Sequence, residues 1–105
     1  MSLKNLEKIG MKIIQTKNFK KELLEILEFI SNNSTQASKK FSENLYNEIQ
    51  NLGFMPYKFR QSKCFNDENI RDFIFKGYVI PYLIDKENNK IVILAIFKQN
   101  LPKFK

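Results

Sequence analysis

The stretch Ile70 to Phe97, IRDFIFKGYVIPYLIDKENNKIVILAIF, constrains the fold of this chain more than any other. From Ile70 to Lys76, Arg71, Phe73 and Phe75 alternate with Ile70, Asp72, Ile74 and Lys76, the period of two that a pleated strand imposes. Lys76 and Gly77 make a tight turn. The segment Tyr78 to Asp85 is rich in β-branched and aromatic residues, and the polar run DKENNK interrupts it before a third apolar segment, Ile91 to Phe97. Three consecutive strands with short connections are expected. An uninterrupted apolar strand belongs where both faces are covered, which places Ile91 to Phe97 in the middle of the sheet. Pro81 cannot donate to a ladder, so the second strand is expected to be an edge there or to carry a bulge.

The chain before this run supplies the cover. Met11 to Gln15, MKIIQ, reads as a short peripheral strand. From about Asn18 the period changes: Phe19, Leu23, Ile26, Leu27 and Ile30 recur at three and four, giving an amphipathic helix capped by Thr16 or Asn18. After Ser31-Asn32-Asn33-Ser34, a second helix begins at Ser34 or Thr35, with Ala37, Phe41, Leu45, Ile49 and Leu52 on one face. Gly53 fits a left-handed C′ position, with Phe54 touching Ile49 and Pro56 preventing continuation. So short a linker pairs the helices antiparallel, and both stripes then need the sheet as a partner. The expected class is α+β in the order β-α-α-β-β-β, a small antiparallel sheet with a helix hairpin packed on one face.

At 105 residues the chain fits one domain, Met11 to Lys105, preceded by an extension over 1–10 in which Leu3, Leu6 and Ile9 recur at spacing three. Met11 is an alternative start. No apolar run approaches the ~18 residues that span a bilayer, and MSLKNLEKIG lacks a signal-peptide core, so the expected address is the cytoplasm, without a membrane partner. One cysteine, Cys64, and no histidine argue against a His/Cys metal site and remove every Ser-His or Cys-His pair, so no metal or cofactor is expected. Cys64 reads as a small, half-buried residue.

The net charge of +7 points to an acidic partner, nucleic acid or an acidic protein, or else to a lysine-rich composition, since sixteen of the eighteen cations are lysine. Residues 1–53 carry +2 and 54–105 carry +5, so the positive field lies on the sheet half. Between helices and sheet, MPYKFRQSKCFNDEN interleaves Tyr57, Phe59 and Phe65 with Lys58, Arg60 and Lys63. Such interleaving suits a nucleic-acid or acidic-partner surface, and equally a loop whose aromatics anchor it to the helices.

The succession Arg71-Asp72-Phe73-Ile74, Gly77-Tyr78-Val79-Ile80-Pro81-Tyr82 and Ile91-Val92-Ile93-Leu94-Ala95-Ile96-Phe97, behind a small strand and a two-helix hairpin, resembles the RelE/ParE superfamily of bacterial toxins, and more closely its ParE branch. Members of that branch carry a strand-start arginine, a Y-x-I-P-Y strand and an I-x-I-L-x-I-F strand followed by a histidine, here Lys98. The resemblance covers Lys12 to Pro102 and implies the toxin of a type II toxin-antitoxin system.

Two modes of action follow from it. RelE-type members cut messenger RNA on the ribosome, typically with an arginine at the position held here by Val79 and with basic, His or Tyr residues at the C-terminus. A nuclease here would have to be built from Arg71, Lys98 and Tyr82, and a lysine of ordinary pKa, ~10.4, is a poor base near neutrality. ParE-type members bind and poison DNA gyrase with no chemistry of their own, the reading favoured by Val79. The resemblance also implies a cognate ParD-like antitoxin, operator DNA reached only through that antitoxin, and growth inhibition with plasmid stabilisation. The candidate target-binding residues are Arg60, Arg71, Lys98 and Gln99. Arg71 alternatively bridges Asp72 or Asp67, while Tyr78 and Tyr82 share a face that packs against the helices.

Overall fold

A computed structural model describes residues 10–99; Leu3, Leu6 and Ile9 and the tail beyond Gln99 lie outside the described residues. The elements are β1 (Lys12–Gln15), α1 (Lys17–Ser31), α2 (Thr35–Leu52), β2 (Ile70–Phe75), β3 (Tyr78–Asp85), β4 (Lys90–Ile93) and β5 (Phe97–Lys98). The sheet runs β1-β4-β3-β2, with β5 also on β3, and is mixed: β1 joins β4 in parallel while the other pairs are antiparallel. The helix hairpin covers one face, giving the α+β layering that the periodicities predict.

Each helix begins where a hydroxyl accepts an orphan amide. Thr16 Oγ1 accepts from Phe19 N–H at 3.1 Å, and Ser34 Oγ from Ala37 N–H at 3.0 Å. Between the helices, Ser38 Oγ donates to Leu27 O at 2.9 Å, so the polar group buried at their contact is satisfied. Phe19, Leu45 and Ile49 meet Ile80, Tyr82, Ile91 and Ile93 in the core, and Phe41 packs edge-on to Phe75 at 5.2 Å. Ala37 is exposed, and Ser38 takes its place on the buried face.

Gly53 differs from its expected role. Its φ of −63° and ψ of −23° are right-handed, so the helix does not end in a left-handed residue, and Phe54 stays 60% exposed rather than touching Ile49. What requires glycine is proximity. A Cβ at Gly53 would lie 2.7 Å from Met11 O, where the chain entering β1 donates Met11 N–H to Gly53 O at 2.9 Å. Gly77 does need its freedom: Lys76 and Gly77 have φ of 49° and 86°, the left-handed pair that a two-residue hairpin turn requires.

Pro81 sits in a central strand, and the sheet accommodates it by a bulge. Leu94 N–H donates to Pro81 O at 2.9 Å, so the missing donor of Pro81 faces the β4 side. Between the pairs Tyr82–Ile93 and Val79–Phe97, β3 has two residues and the opposing chain three, which splits the third apolar segment into β4 and β5. Leu94 O, deprived of a ladder donor, accepts from Asn18 Nδ2 at 3.1 Å and Thr16 Oγ1 at 3.2 Å. The expectation that both faces of this segment are covered is not met among the described residues. Its outward side chains belong instead to a cross-strand row, Ile14–Val92–Leu83–Ile70, on the face opposite the helices.

Candidate functional site

Val79 is buried and faces away from the helices, between Ile74 and Phe97 in the register. Around β3 the sequence-derived candidates separate into two groups. At one end, Arg71 lies opposite Tyr82; at the other, Lys98 lies opposite Tyr78. Four residues of strand, about 13 Å, separate these positions. Tyr82 is fully buried and donates its hydroxyl to Pro56 O at 2.7 Å; burial raises its pKa far above the ordinary phenol value, against a smaller lowering by Arg71. Arg71, Tyr82 and Lys98 are therefore not brought together as an acid-base set.

Arg71 is engaged with the loop before β2. Its Nε donates to Glu68 O at 3.1 Å and its Nη1 to Phe59 O at 3.2 Å, and its guanidinium stacks 4.9 Å from the Tyr57 ring centroid. Neither Asp72 nor Asp67 is its partner within salt-bridge distance, so the alternative reading of an ion pair on the sheet margin is not met. Asp72 is instead buried on the opposite face, where Oδ2 accepts from Lys63 N–H at 3.2 Å and lies 3.8 Å from Arg60 Nη2. Together these contacts fasten residues 57–63 along the free edge of β2, where Gln61 bridges Arg71. Phe59 anchors the loop on Phe73 at 5.1 Å, as the anchoring reading expects of it, whereas Tyr57 and Phe65 remain about two-fifths exposed. Cys64 is exposed rather than half-buried, because residues 63–69 bulge outward beyond the edge.

Lys98 is exposed with its Nζ 5.5 Å from the Tyr78 ring, and Gln99 donates its N–H to Gly77 O at 2.8 Å. Of the four candidate target-binding residues, Lys98 and Gln99 thus sit together at the β2–β3 turn, and Arg60 and Arg71 at the far end of β2. No group of acidic or Cys side chains is arranged to hold a metal among the described residues, and no helix there is long and apolar enough to cross a membrane.

Beside Lys98 the structure holds a feature that the periodicities passed over, a groove of about 430 Å³ between α1 and β5. Glu22, Glu25, Ile26 and Phe29 form one wall, Tyr78, Ile96 and Phe97 the other. Its signal in the sequence is Phe29, a large apolar residue off the core stripe of α1 and 67% exposed.

The family model for the ParE toxin of the type II toxin-antitoxin system parDE matches residues 13–100. The chain belongs to the ParE toxin family. Among solved structures, the fold is similar to a chain of the chromosomal ParDE system from P. aeruginosa, with a TM-score of 0.71 and 14% identity over 87% of this chain and 98% of that one. It is also similar to a chain of the RelBE2 toxin-antitoxin complex from Mycobacterium tuberculosis, with a TM-score of 0.59 and 14% identity over 86% of this chain and 99% of that one. No curated protein compared matches the chain. The small strand, helix hairpin and following strand succession on which the resemblance rested is the architecture found here.

Proposed function

We propose that this ParE-family toxin arrests growth in the cytoplasm by binding DNA gyrase, without chemistry of its own, and that a cognate acidic antitoxin neutralises it. The observation that carries the reading is Val79, an apolar side chain at the strand position where nucleolytic relatives resemble one another in bearing arginine, in a sheet whose Arg71 and Lys98 stand at opposite ends of β3. Arg60, Arg71, Lys98 and Gln99 are the proposed contacts to the target, and operator DNA is reached through the antitoxin. Two solved relatives come from toxin-antitoxin systems, which supports the partner.

Induction of the chain alone is expected to stop growth, and the purified protein to block gyrase supercoiling. Growth arrest with supercoiling untouched at the arresting concentration overturns the gyrase target. The second reading, which the resemblance to the RelE/ParE superfamily leaves open, is a ribosome-dependent endoribonuclease; the RelBE2 chain shares the fold. It requires that messages be cut in a translation extract and that Arg71→Ala or Lys98→Ala abolish the cut. A chain that binds antitoxin yet leaves growth unaffected is a non-toxic member of the family.

A further inference from the structure

We propose that the pocket between the turn end of the helix hairpin and the β2–β3 turn is a docking site for an acidic segment of a partner protein, one that carries a large apolar side chain beside a carboxylate. The pocket encloses about 260 Å³. Ile30 of α1 with Ala37 and Phe41 of α2 form its apolar part, and the exposed Lys40, Asn44 and Lys76 form its polar part. Phe41 is held edge-on to Phe75 at 5.2 Å and to Tyr78 at 5.8 Å, so the apolar part is preformed and needs no ordering on binding. No carboxylate lines the pocket, and neither lysine has an ion-pair partner among the described residues. Two cations beside a small apolar recess fit an occupant with a negative charge and an apolar tip.

The backbone of the turn points the same way. Lys76 takes the first left-handed position, at φ 49°, where asparagine, aspartate or glycine is accommodated at lower cost. A lysine there weakens the hairpin, yet it is the residue through which this turn lines the pocket, with its Nζ 5.6 Å from the Phe75 ring centroid. Other occupants fit less well. Duplex nucleic acid would reach too few cations in so small a recess, and a second copy brings its own charge of +7. Neither Lys40 nor Lys76 is among the proposed contacts to gyrase, and the test needs neither gyrase nor antitoxin, so the pocket stands or fails separately from the proposed function.

The test titrates the isotope-labelled full chain with blocked synthetic pentapeptides and follows its amide and methyl signals. Asp-Glu-Phe-Glu-Asp is expected to shift Ile30, Ala37 and Phe41 while Ile14 and Leu83 on the opposite face stay in place. Asp-Glu-Ala-Glu-Asp should bind about fivefold more weakly for want of the aromatic ring, and Lys-Lys-Phe-Lys-Lys should leave the pocket signals unmoved. Lys40→Gln and Lys76→Asn should each weaken binding of the acidic peptide about threefold. Lys76→Asn should at the same time raise the midpoint of chemical denaturation, because asparagine suits the left-handed turn, and that opposite movement separates a binding role from a structural one. Absent shifts, shifts confined to other surfaces, equal binding of the basic peptide, or unchanged affinity in both lysine variants overturns the proposal. So does self-association of the chain, seen by sedimentation velocity, that Lys76→Asn disrupts, which assigns the pocket to a second copy.

Discussion

Arg71 shows how one side chain serves two readings. Its guanidinium donates to two loop carbonyls and covers Tyr57, so much of what it does is to hold residues 57–68 against β2. Arg71→Lys keeps the charge but not the fork, and is expected to cost about 2 kcal/mol in chemical denaturation. Limited proteolysis at Lys58 and Lys63 should accelerate in the same variant. If target binding falls while proteolysis is unchanged, Arg71 acts through its guanidinium fork at the target and not through the loop. Tyr82 makes a second prediction at this scale. Its folded-state pKa lies above the ordinary value, so the unfolded chain loses the phenolic proton first, and stability is complete below about pH 10 and declines as pH rises beyond it. Tyr82→Phe should remove that alkaline slope and, by leaving Pro56 O without its donor, lower stability near neutrality by about 1 kcal/mol, read from denaturation at several pH values. The sequence yielded these side chains as candidates because charge and aromaticity are visible without coordinates. It did not yield their separation, since Lys98 reaches its place opposite Tyr78 only through the bulge at Leu94 to Ile96.

The elements were more legible than the joints between them. Strand alternation and helical periodicity depend on local side-chain order, and Tyr78–Asp85, Lys17–Ser31 and Thr35–Leu52 fall where those patterns place them. Gly53 was misassigned because its reason is a contact with Met11, distant in sequence and invisible to any local pattern. The two explanations place the damage of Gly53→Ala differently. A left-handed C′ would make alanine strained by its backbone, whereas at φ −63° the backbone tolerates alanine and only the 2.7 Å approach to Met11 O objects. The variant is expected to lose about 1–3 kcal/mol by displacing the start of β1, and amide exchange should rise at Met11 and Lys12 while α2 stays protected. The β3–β4 turn offers an electrostatic counterpart. Asn88 donates its side-chain and backbone N–H groups to the Asp85 carboxylate, at 2.9 and 3.2 Å, and these bonds hold its pKa below the usual carboxylate range. The turn's contribution is therefore full above about pH 4 and is lost as acid reaches the depressed folded-state value. Carbon-detected titration of Asp85 should show a midpoint below the ordinary one, and Asn88→Ala should return it upward.

At the scale of the molecule, the question left by a net charge of +7 is whether the chain meets nucleic acid directly. Affinity for duplex DNA depends on how many cations reach phosphates at once, and the exposed lysines here are scattered over several surfaces. Lys12 lies on β1, Lys20 and Lys21 on α1, Lys39 and Lys40 on α2, and Lys76 on a hairpin turn. The face opposite the helices carries the part-exposed apolar residues Ile14, Val92 and Leu83, with Ile70 buried at the end of their row. A part-exposed apolar row suits a protein surface better than a phosphate backbone. The isolated chain is accordingly expected to bind a labelled duplex only weakly, with affinity falling as a shallow power of salt. Neutralising few phosphates keeps the slope of log affinity against log salt shallower than about −4, because each phosphate contributes roughly −0.9. Fluorescence anisotropy at four or five salt concentrations measures that slope directly. A steep slope would mean that the scattered lysines converge on DNA after all, and nucleic acid would then be a direct partner of the toxin.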